Sequence, residues 1–433
     1  MRIAFYTLGC KLNQYETKYL EEIAQIKGFI TVPFDTEAEI YVINTCTVTA
    51  KSDFHARQYI RRAKRTNPSS IIVVTGCYAQ RDPENLKDLP EIDLVIGNTE
   101  KERLFDYLSG HKGQQRTVVV TSPITGNSDT FYALQKFAGY TRAFMKIQDG
   151  CNSACSYCIV PSVRGPSRSL EPEKLVSRFG IFLKSGYKEI VLTGVHIGKY
   201  GLDCNPKTNL CTILKKLISI NGDFRIRLSS LEPVEISNDL IELFSKSEKL
   251  CHHFHIPLQN GNDEILHRMK RLYNVEYYGQ LIKRLKEVNP DMCIGADVIT
   301  GFPGETELHF EDSYNFISSL PLSYLHVFSF SPRPGTEAYN EPGKIPLETI
   351  KSRTKRLRNL SIEKNADFRN SLKDKPLQTL IYNQPSNVTD MQMGLSSNYI
   401  HMYVNEKTLS VNEFYPLKIK NVQRNMTLAV SHL

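Results

Sequence analysis

The sequence predicts an α/β protein in three parts: a parallel-sheet N-terminal domain, a partial TIM-like (βα)6 barrel and a small C-terminal antiparallel β-barrel. Three observations predict it. Strand-length apolar runs alternate with helical patterns through the first 110 residues, which implies a parallel sheet. The alternation resumes at about 140 and runs through six βα units to about 330. From 377 onward it gives way to short β-like runs punctuated by Asn, Gly, Pro and Ser.

Residues 1–112 open on the strand RIAFYT at 2–7, followed by a helical pattern over 13–28 that ends at Gly28. EIYVINT at 39–45, SSIIVVTG at 69–76 and IDLVIG at 92–97 are the next strands, with helices over 50–65 and up to about 109. The nearly continuous apolar run at 69–76 is that of a parallel strand covered on both faces. HKGQQ and PITGNSD, with scattered short apolar runs, make 113–138 a connector carrying one strand. Residues 139–370 begin with RAFMKIQDGC, and strands recur at 189–194, 224–230, 252–258, 294–301 and 324–330. Helical patterns lie near 171–185, 208–219, 234–246, 275–288 and 305–318. Such a unit places its site at the C-terminal ends of the strands. A continuous doubly wound sheet is the alternative that this pattern leaves open. After the basic helix 351–370, residues 371–433 carry LQTLIYN, YIHMYVN, FYPLKIKNV and MTLAVSHL, which suit a small barrel or a capping sheet without a ligand.

Composition narrows the function classes. At 433 residues and 41% apolar the chain has material for a well-buried core, which excludes general disorder. No apolar run is long enough for a membrane span, and the start MRIAFYTLGCKLNQ lacks a secretory pattern. A cytoplasmic, reducing location is expected. The net charge of +8 permits a polyanionic partner. Ten cysteines are too sparse for a disulfide scaffold.

Their positions explain most of them. Cys151, Cys155 and Cys158 form a C-x3-C-x2-C array directly after a strand. Three closely spaced thiolates can hold three irons of a cubane and leave the fourth open to a small molecule. Structural zinc is the alternative, but its usual second ligand pair is missing, since Cys204 and Cys211 are too far apart. Cys10, Cys46 and Cys77 each follow a strand, one βα unit apart. Parallel strands present their C-terminal ends at one edge of the sheet, so these thiols are expected to converge on a metal site, with Asn13 and Asn44 beside them. Cys204, Cys211, Cys251 and Cys293 are read as non-ligands, although histidines beside Cys251 leave a minor metal site open.

DGCNSACSYCIVP resembles the signature of the radical S-adenosylmethionine enzymes, in which the open iron binds the cofactor's amino and carboxylate groups. The resemblance implies cleavage to a 5′-deoxyadenosyl radical, with Tyr157 at the family's aromatic position. Gly194, Ser229, Ser230, Glu232 and Gly301, all after strands, are the expected cofactor-binding residues; turn glycines are the plainer reading of the first and last. TLGCKLNQYET, VINTCTVT and VVTGCYAQR are similar to the N-terminal domain of the methylthiotransferase branch. That likeness implies a second [4Fe–4S] cluster on Cys10, Cys46 and Cys77, from which sulfur is delivered to the carbon radical. GCKLNQ, RLSSLEP, HFHIPLQNGND, ITGFPGET and FSPRPGTEA resemble the branch acting on N6-threonylcarbamoyladenosine at tRNA position 37. The likeness also implies an RNA-binding TRAM-like barrel at the C-terminus, the tRNA anticodon stem-loop as partner, a one-electron donor such as flavodoxin or ferredoxin, and a sulfur source. Isopentenyladenosine tRNA or a ribosomal-protein aspartate as substrate stays open, as does a zinc-stabilised, non-enzymatic RNA-binding protein.

Basic runs mark the expected RNA face. Arg57, Arg61, Lys64 and Arg65 share one side of a helix, with Arg62 adjacent; KSRTKRLR at 351–358, HRMKR at 267–271 and VRGPSR at 163–168 add charge. Arg164, Arg168 and Arg333 are candidate substrate contacts, since a guanidinium pairs naturally with the threonylcarbamoyl carboxylate. Tyr399 and Tyr403 are candidates for base stacking.

Overall fold

Six parallel strands form the first sheet: β1 Arg2–Thr7, β2 Ile30–Val32, β3 Ile40–Thr45, β4 Ile71–Gly76, β5 Leu94–Ile96 and β6 Val118–Val120, in the order β2-β1-β3-β4-β5-β6. This computed structural model describes all residues except 111–116, 127, 129, 383–390, 406–408, 425 and 432–433. HKGQQ, two residues of PITGNSD and the last residues of LQTLIYN and MTLAVSHL therefore lie outside the described residues. The connector's strand is β6, which completes this sheet. β2 went unpredicted because three residues are too short for a readable alternation.

The sheet is covered on both faces, as its apolar strands require. The helix Ala50–Thr66, capped by the Thr49 hydroxyl, packs Ala56, Ile60 and Ala63 against Tyr41, Ile43, Ile72 and Val74. Alternate strand residues Ile3, Val42, Val73 and Leu94 face the other way. They enter one continuous core with Phe144, Met145, Leu192 and Ile226 of the next unit.

That unit is a partial barrel. Its strands are β7 Arg142–Lys146, the short antiparallel pair β8 Gln148–Asp149 and β9 Arg168–Ser169, β10 Glu189–Thr193, β11 Arg225–Leu228, β12 His253–His255, β13 Cys293–Thr300 and β14 Tyr324–Ser329. β7, β10 and β11 form one parallel sheet and β12, β13 and β14 another, with a parallel bridge between Ile226 and Leu250 joining them. The sequential order excludes a doubly wound sheet, whose strand order reverses. Helices Pro172–Lys184, Leu210–Ile218, Asn238–Lys246, Val275–Val288 and Glu307–Ser319 lie where the periodicity predicts them.

The helix Leu347–Ser371 leads to the last unit, a closed barrel of β15 Leu377–Ile381, β16 Gln392–Ser396, β17 His401–Val404, β18 Phe414–Gln423 and β19 Met426–Ser431. Its pairings are antiparallel except β17 with β19. β16 was missed because QMGLS mixes a glycine with polar residues and has no β-branched side chain. Among the described residues no helix is long and apolar enough to cross a membrane.

Candidate active site

The parallel register brings the first three cysteines together. Thr7 pairs with Asn44 and Thr45 with Gly76, so β1, β3 and β4 end side by side. Cys10 caps the helix Lys11–Ile26, Cys46 follows β3, and Cys77 starts the helix Cys77–Arg81. Gly9 has φ +102°, and a Cβ there would lie 2.7 Å from Cys46 Cβ, so the close approach of the two loops requires glycine. Burial pushes the Cys10 thiol up and Cys46 up to about 12, and in both the neighbouring thiols add to the effect. Desolvated thiols on three neighbouring strand ends suit a cluster that spans them, which converts them to thiolates and replaces the lost hydration. Asn13 and Asn44 are spent on the backbone of the cysteine loops, and Asn13 Oδ1 also lies 4.0 Å from Cys10 Sγ. Asn13 Nδ2 donates to Leu8 O (2.7 Å) and Thr45 O (3.0 Å), and Asn44 Nδ2 donates to Asn13 O (3.0 Å), bracing the cysteine loops.

The second set lies on one loop. Cys151 Sγ is 3.4 Å from His196 Nδ1 and accepts from Ser153 N–H at 3.3 Å. Burial opposes its ionisation, but the His196 and Ser153 contacts win and lower this thiol. Arg271 donates to Cys155 Sγ at 3.1 Å and pairs with Glu232. Burial pushes Cys158 up to about 12, and Cys151 and Cys155 both reinforce the shift. The set therefore has its own cationic neighbours and the donor chemistry of an iron–sulfur site. The two sets adjoin: Cys77 packs on Ile159 and Val163, immediately beyond Cys158.

Three cavities surround them. One of about 550 Å³ is lined by Cys155, Ser153, His196, Glu232 and Tyr273. A second, of about 470 Å³, lies between Cys10 and the barrel and is lined by Gly194, Ser229, Ser230, His255, Asp297 and Tyr399. A third, of about 220 Å³, holds Tyr157 and Cys158 and shares Asp297 and Phe328 with the second. The residues predicted for one cofactor thus divide. Gly194, Ser229 and Ser230 face the Cys10 cavity, whereas Glu232 faces the Cys155 cavity. Tyr157 packs beside Ile265, Met269 and Phe302, with its hydroxyl 3.4 Å from Arg271.

Gly301 has a packing role of its own. A Cβ there would lie 2.5 Å from Ile350 Cγ1, at φ +78°, so helix packing by itself demands the glycine.

The three candidate arginines are all engaged within the protein. Arg164, 3% exposed, is paired with Glu16 and donates to Asn13 Oδ1 at 2.5 Å. Arg168 donates to Pro166 O (2.9 Å) and Arg164 O (3.1 Å) and lies 3.6 Å from Asp149. Arg333 donates to Thr47 Oγ1 (2.8 Å) and Asp53 Oδ2 (2.5 Å), pinning the loop after β14 to the loop after β3 and the helix Ala50–Thr66. All three hold protein segments together.

Most of the basic runs are also matched by acids distant in sequence. Arg62 pairs with Asp35 (2.7 Å), Lys64 with Asp93 (3.5 Å), and Arg61 with Glu91 (3.7 Å). Arg353 is buried against Glu305, Arg356 pairs with Glu311, Arg268 with Glu341 and Lys270 with Glu337. Arg65 and Lys355 remain exposed. Tyr399 stacks on His253 (centroids 4.3 Å apart) beneath Arg227, so its ring is engaged within the protein.

Sequence reasoning missed one polar group. His255, Asp297 and His326, on three adjacent strands, bring ligand atoms within 4.8 Å of one another. His255 Nε2 is 2.8 Å and His326 Nδ1 3.4 Å from the same Asp297 oxygen. Burial would raise the Asp297 carboxyl, but the two imidazoles hold it well below the usual range. Cys251, which the sequence placed beside a possible histidine site, lies outside this group.

Residues 145–317 match the radical SAM superfamily and residues 2–97 the uncharacterized protein family UPF0004. The overall fold is similar to that of the radical S-adenosylmethionine methyltransferase TsrM from Kitasatospora setae, with a TM-score of 0.59 at 13% identity over 82% of each chain. The barrel and the cysteine loop thus define a radical S-adenosylmethionine enzyme, dependent on iron–sulfur chemistry. Over 392 residues the chain is 40% identical to the threonylcarbamoyladenosine tRNA methylthiotransferase MtaB of Aquifex aeolicus, covering 90% of this chain and 95% of that protein. The protein of the same name from Bacillus subtilis is 37% identical over 92% of this chain and 89% of its own length. A tRNA-2-methylthio-N(6)-dimethylallyladenosine synthase from Francisella tularensis is 34% identical over 83% of each. The chain belongs to the radical S-adenosylmethionine methylthiotransferase family.

Proposed function

We infer that this enzyme converts N6-threonylcarbamoyladenosine at position 37 of tRNA to its 2-methylthio derivative, using two [4Fe–4S] clusters. The observation that carries the reading is the meeting of two three-thiol sets across the segment that follows Cys158, with cavities opening beside both. Cys151, Cys155 and Cys158 would hold the cluster that supplies the electron for S-adenosylmethionine cleavage; Cys10, Cys46 and Cys77 would hold the second. Tyr157 and Glu232 would border the cofactor beside the Cys155 loop. Gly194, Ser229 and Ser230 would line its approach to the Cys10 cavity. In this division 1–112 presents sulfur, 113–138 connects, 139–370 generates the radical, and 371–433 is the TRAM-like barrel that meets the anticodon stem-loop. The names and extents of the relatives favour threonylcarbamoyladenosine over isopentenyladenosine, and the polar lining of the central cavity agrees.

The test compares one cysteine from each set. Anaerobically purified protein should hold about eight irons and eight sulfides per chain. Cys151→Ala should make no 5′-deoxyadenosine, whereas Cys77→Ala should still make it but yield no methylthio product. Nucleoside mass analysis of tRNA from a deletion strain decides the substrate: loss of 2-methylthio-N6-threonylcarbamoyladenosine is expected. Loss of the methylthio-isopentenyl nucleoside instead would transfer the enzyme to the other branch. Zinc without sulfide would remove the enzymatic reading altogether.

A further inference from the structure

The threonylcarbamoyl group carries a carboxylate, and the arginines that the sequence offered for it are all buried in other pairs. The cationic residues lining the Cys155 cavity are engaged as well: Lys199 and His196 with Glu235, Lys270 with Glu337, Arg271 with Glu232. The cavity between Cys10 and the barrel has one lysine, Lys11, and no arginine. The Lys11 side chain is half-buried and, among the described residues, makes no hydrogen bond or ion pair. Glu189, the acid whose charge reaches it, is committed to Arg142, Arg225 and Arg227. The cavity's own acid, Asp297, is held by His255 and His326 at 2.8 and 3.4 Å and makes no ion pair with Lys11. A cation withdrawn from water without a counter-charge is a half-built ion pair, and the anion that completes it comes with a ligand.

We propose that Lys11 reads the carboxylate of the threonylcarbamoyl group and so makes this enzyme selective for that nucleoside. Its position suits the task. Lys11 follows Cys10 directly, so the side chain that grips the substrate is fixed to the loop that carries a thiol of the first set. An isopentenyl group offers Lys11 no partner and would leave the charge unmatched, which costs affinity and rejects that nucleoside. The inference rests on the substrate reading above and adds the residue that enforces it.

The experiment is a binding comparison on anaerobically purified holoenzyme. Labelled anticodon stem-loops carry N6-threonylcarbamoyladenosine, its carboxamide analogue or isopentenyladenosine, and affinity is read by fluorescence anisotropy. The wild-type enzyme should prefer the carboxylate to the carboxamide by about ten- to a hundredfold, the range of a charge-assisted hydrogen bond. Lys11→Gln should bind both alike, at the carboxamide level, and Lys11→Arg should restore most of the preference. A wild-type enzyme without the preference, or a Lys11→Gln variant that keeps it, overturns the proposal. A Lys11→Gln variant that loses iron and sulfide yet keeps the preference makes Lys11 a counter-charge of the cysteine site, which also overturns it. The wild-type comparison between the carboxylate and the carboxamide needs no variant to fold. Tight binding of the isopentenyl stem-loop alone would overturn the substrate reading itself, a result distinct from both.

Discussion

Two buried carboxylates, Glu16 and Glu189, each tie one unit of the molecule to another, and they do so with different outlets for charge. Glu16, on the helix after Cys10, meets Lys101 (2.5 Å), Lys146 (3.0 Å) and Arg164. With Asp149 and Arg168, the cluster sets two carboxylates against four cations. Glu189, on β10, meets Arg142 (3.2 Å), Arg225 (2.7 Å) and Arg227 (2.8 Å), one carboxylate against three cations. At Glu189 the surplus is absorbed by the C-terminal barrel. Arg225 donates to Gln378 O and Leu395 O, Arg227 donates to Ser396 O and Ser397 O, and each guanidinium lies over an aromatic ring. At Glu16 the surplus lies within Coulombic reach of Cys10 and Cys77. The same device therefore cements one interface and, at the other, stands ready to neutralise thiolates.

Glu16→Ala should have the largest effect. It leaves Lys101, Lys146 and Arg164 buried with only Asp149 to answer them, at a cost of about 4 kcal/mol. It should also lower the iron retained by the first cysteine set, because Arg164 loses the partner that positions it. Glu189→Ala should cost less, about 3 kcal/mol, since its arginines keep carbonyl and ring partners. Iron content should stay near the wild-type value. Denaturant unfolding with iron analysis of both variants checks this. Equal iron loss in the two would erase the distinction between a cementing and a charge-balancing carboxylate.

Acid should weaken both interfaces in the same direction. Burial alone would raise these carboxyls; Arg164, Lys101 and Lys146 at one, and Arg227, Arg225 and Arg142 at the other, hold them well below the ordinary 4.5. A depressed folded value contributes stability above the unfolded value and loses it as pH falls through the folded one. Stability should therefore decline as pH drops below about 4.5. The slope should be shallower in Glu189→Gln, which has lost one of the two carboxyls. An unchanged slope would mean that Glu189 does not ionise in the fold.

How much of this was legible depends on the distance over which each residue finds its partner. The cysteines were legible because a thiol after a strand is placed by the strand, and the apolar runs locate β1, β3 and β4 within a residue or two. The arginines were not, because a guanidinium's role is set by whichever acid reaches it. Arg164 finds Glu16 from 148 residues away and Arg333 finds Asp53 from 280. Asp297 and His326 were missed for a related reason. Each is a polar residue inside an apolar strand, and only the register that pairs them shows that they share a site. Lys11 stood in plain view beside Cys10, but its lack of a partner is a property of the folded cavity.

Gly301 tests that boundary with the smallest effect. The sequence places it after a strand at the cofactor end of the barrel, where a bare backbone suits a ligand. In the fold its space belongs to Ile350 and its backbone to the left-handed region. Its N–H donates to Glu305 Oε2 at 2.7 Å, and Glu305 in turn holds Arg353 at 2.8 Å, so the turn is locked to the helix Leu347–Ser371. Gly301→Ala should therefore destabilise the protein by about 2 kcal/mol, from the unfavourable φ and the overpacked Ile350. The KM for S-adenosylmethionine should stay within about twofold of wild type, because ordinary surface-distant packing defects act on stability rather than on binding. A KM raised tenfold at undiminished stability would return Gly301 to the cofactor pocket and make the strand-end glycine, like the strand-end cysteine, a residue whose role the sequence alone can place.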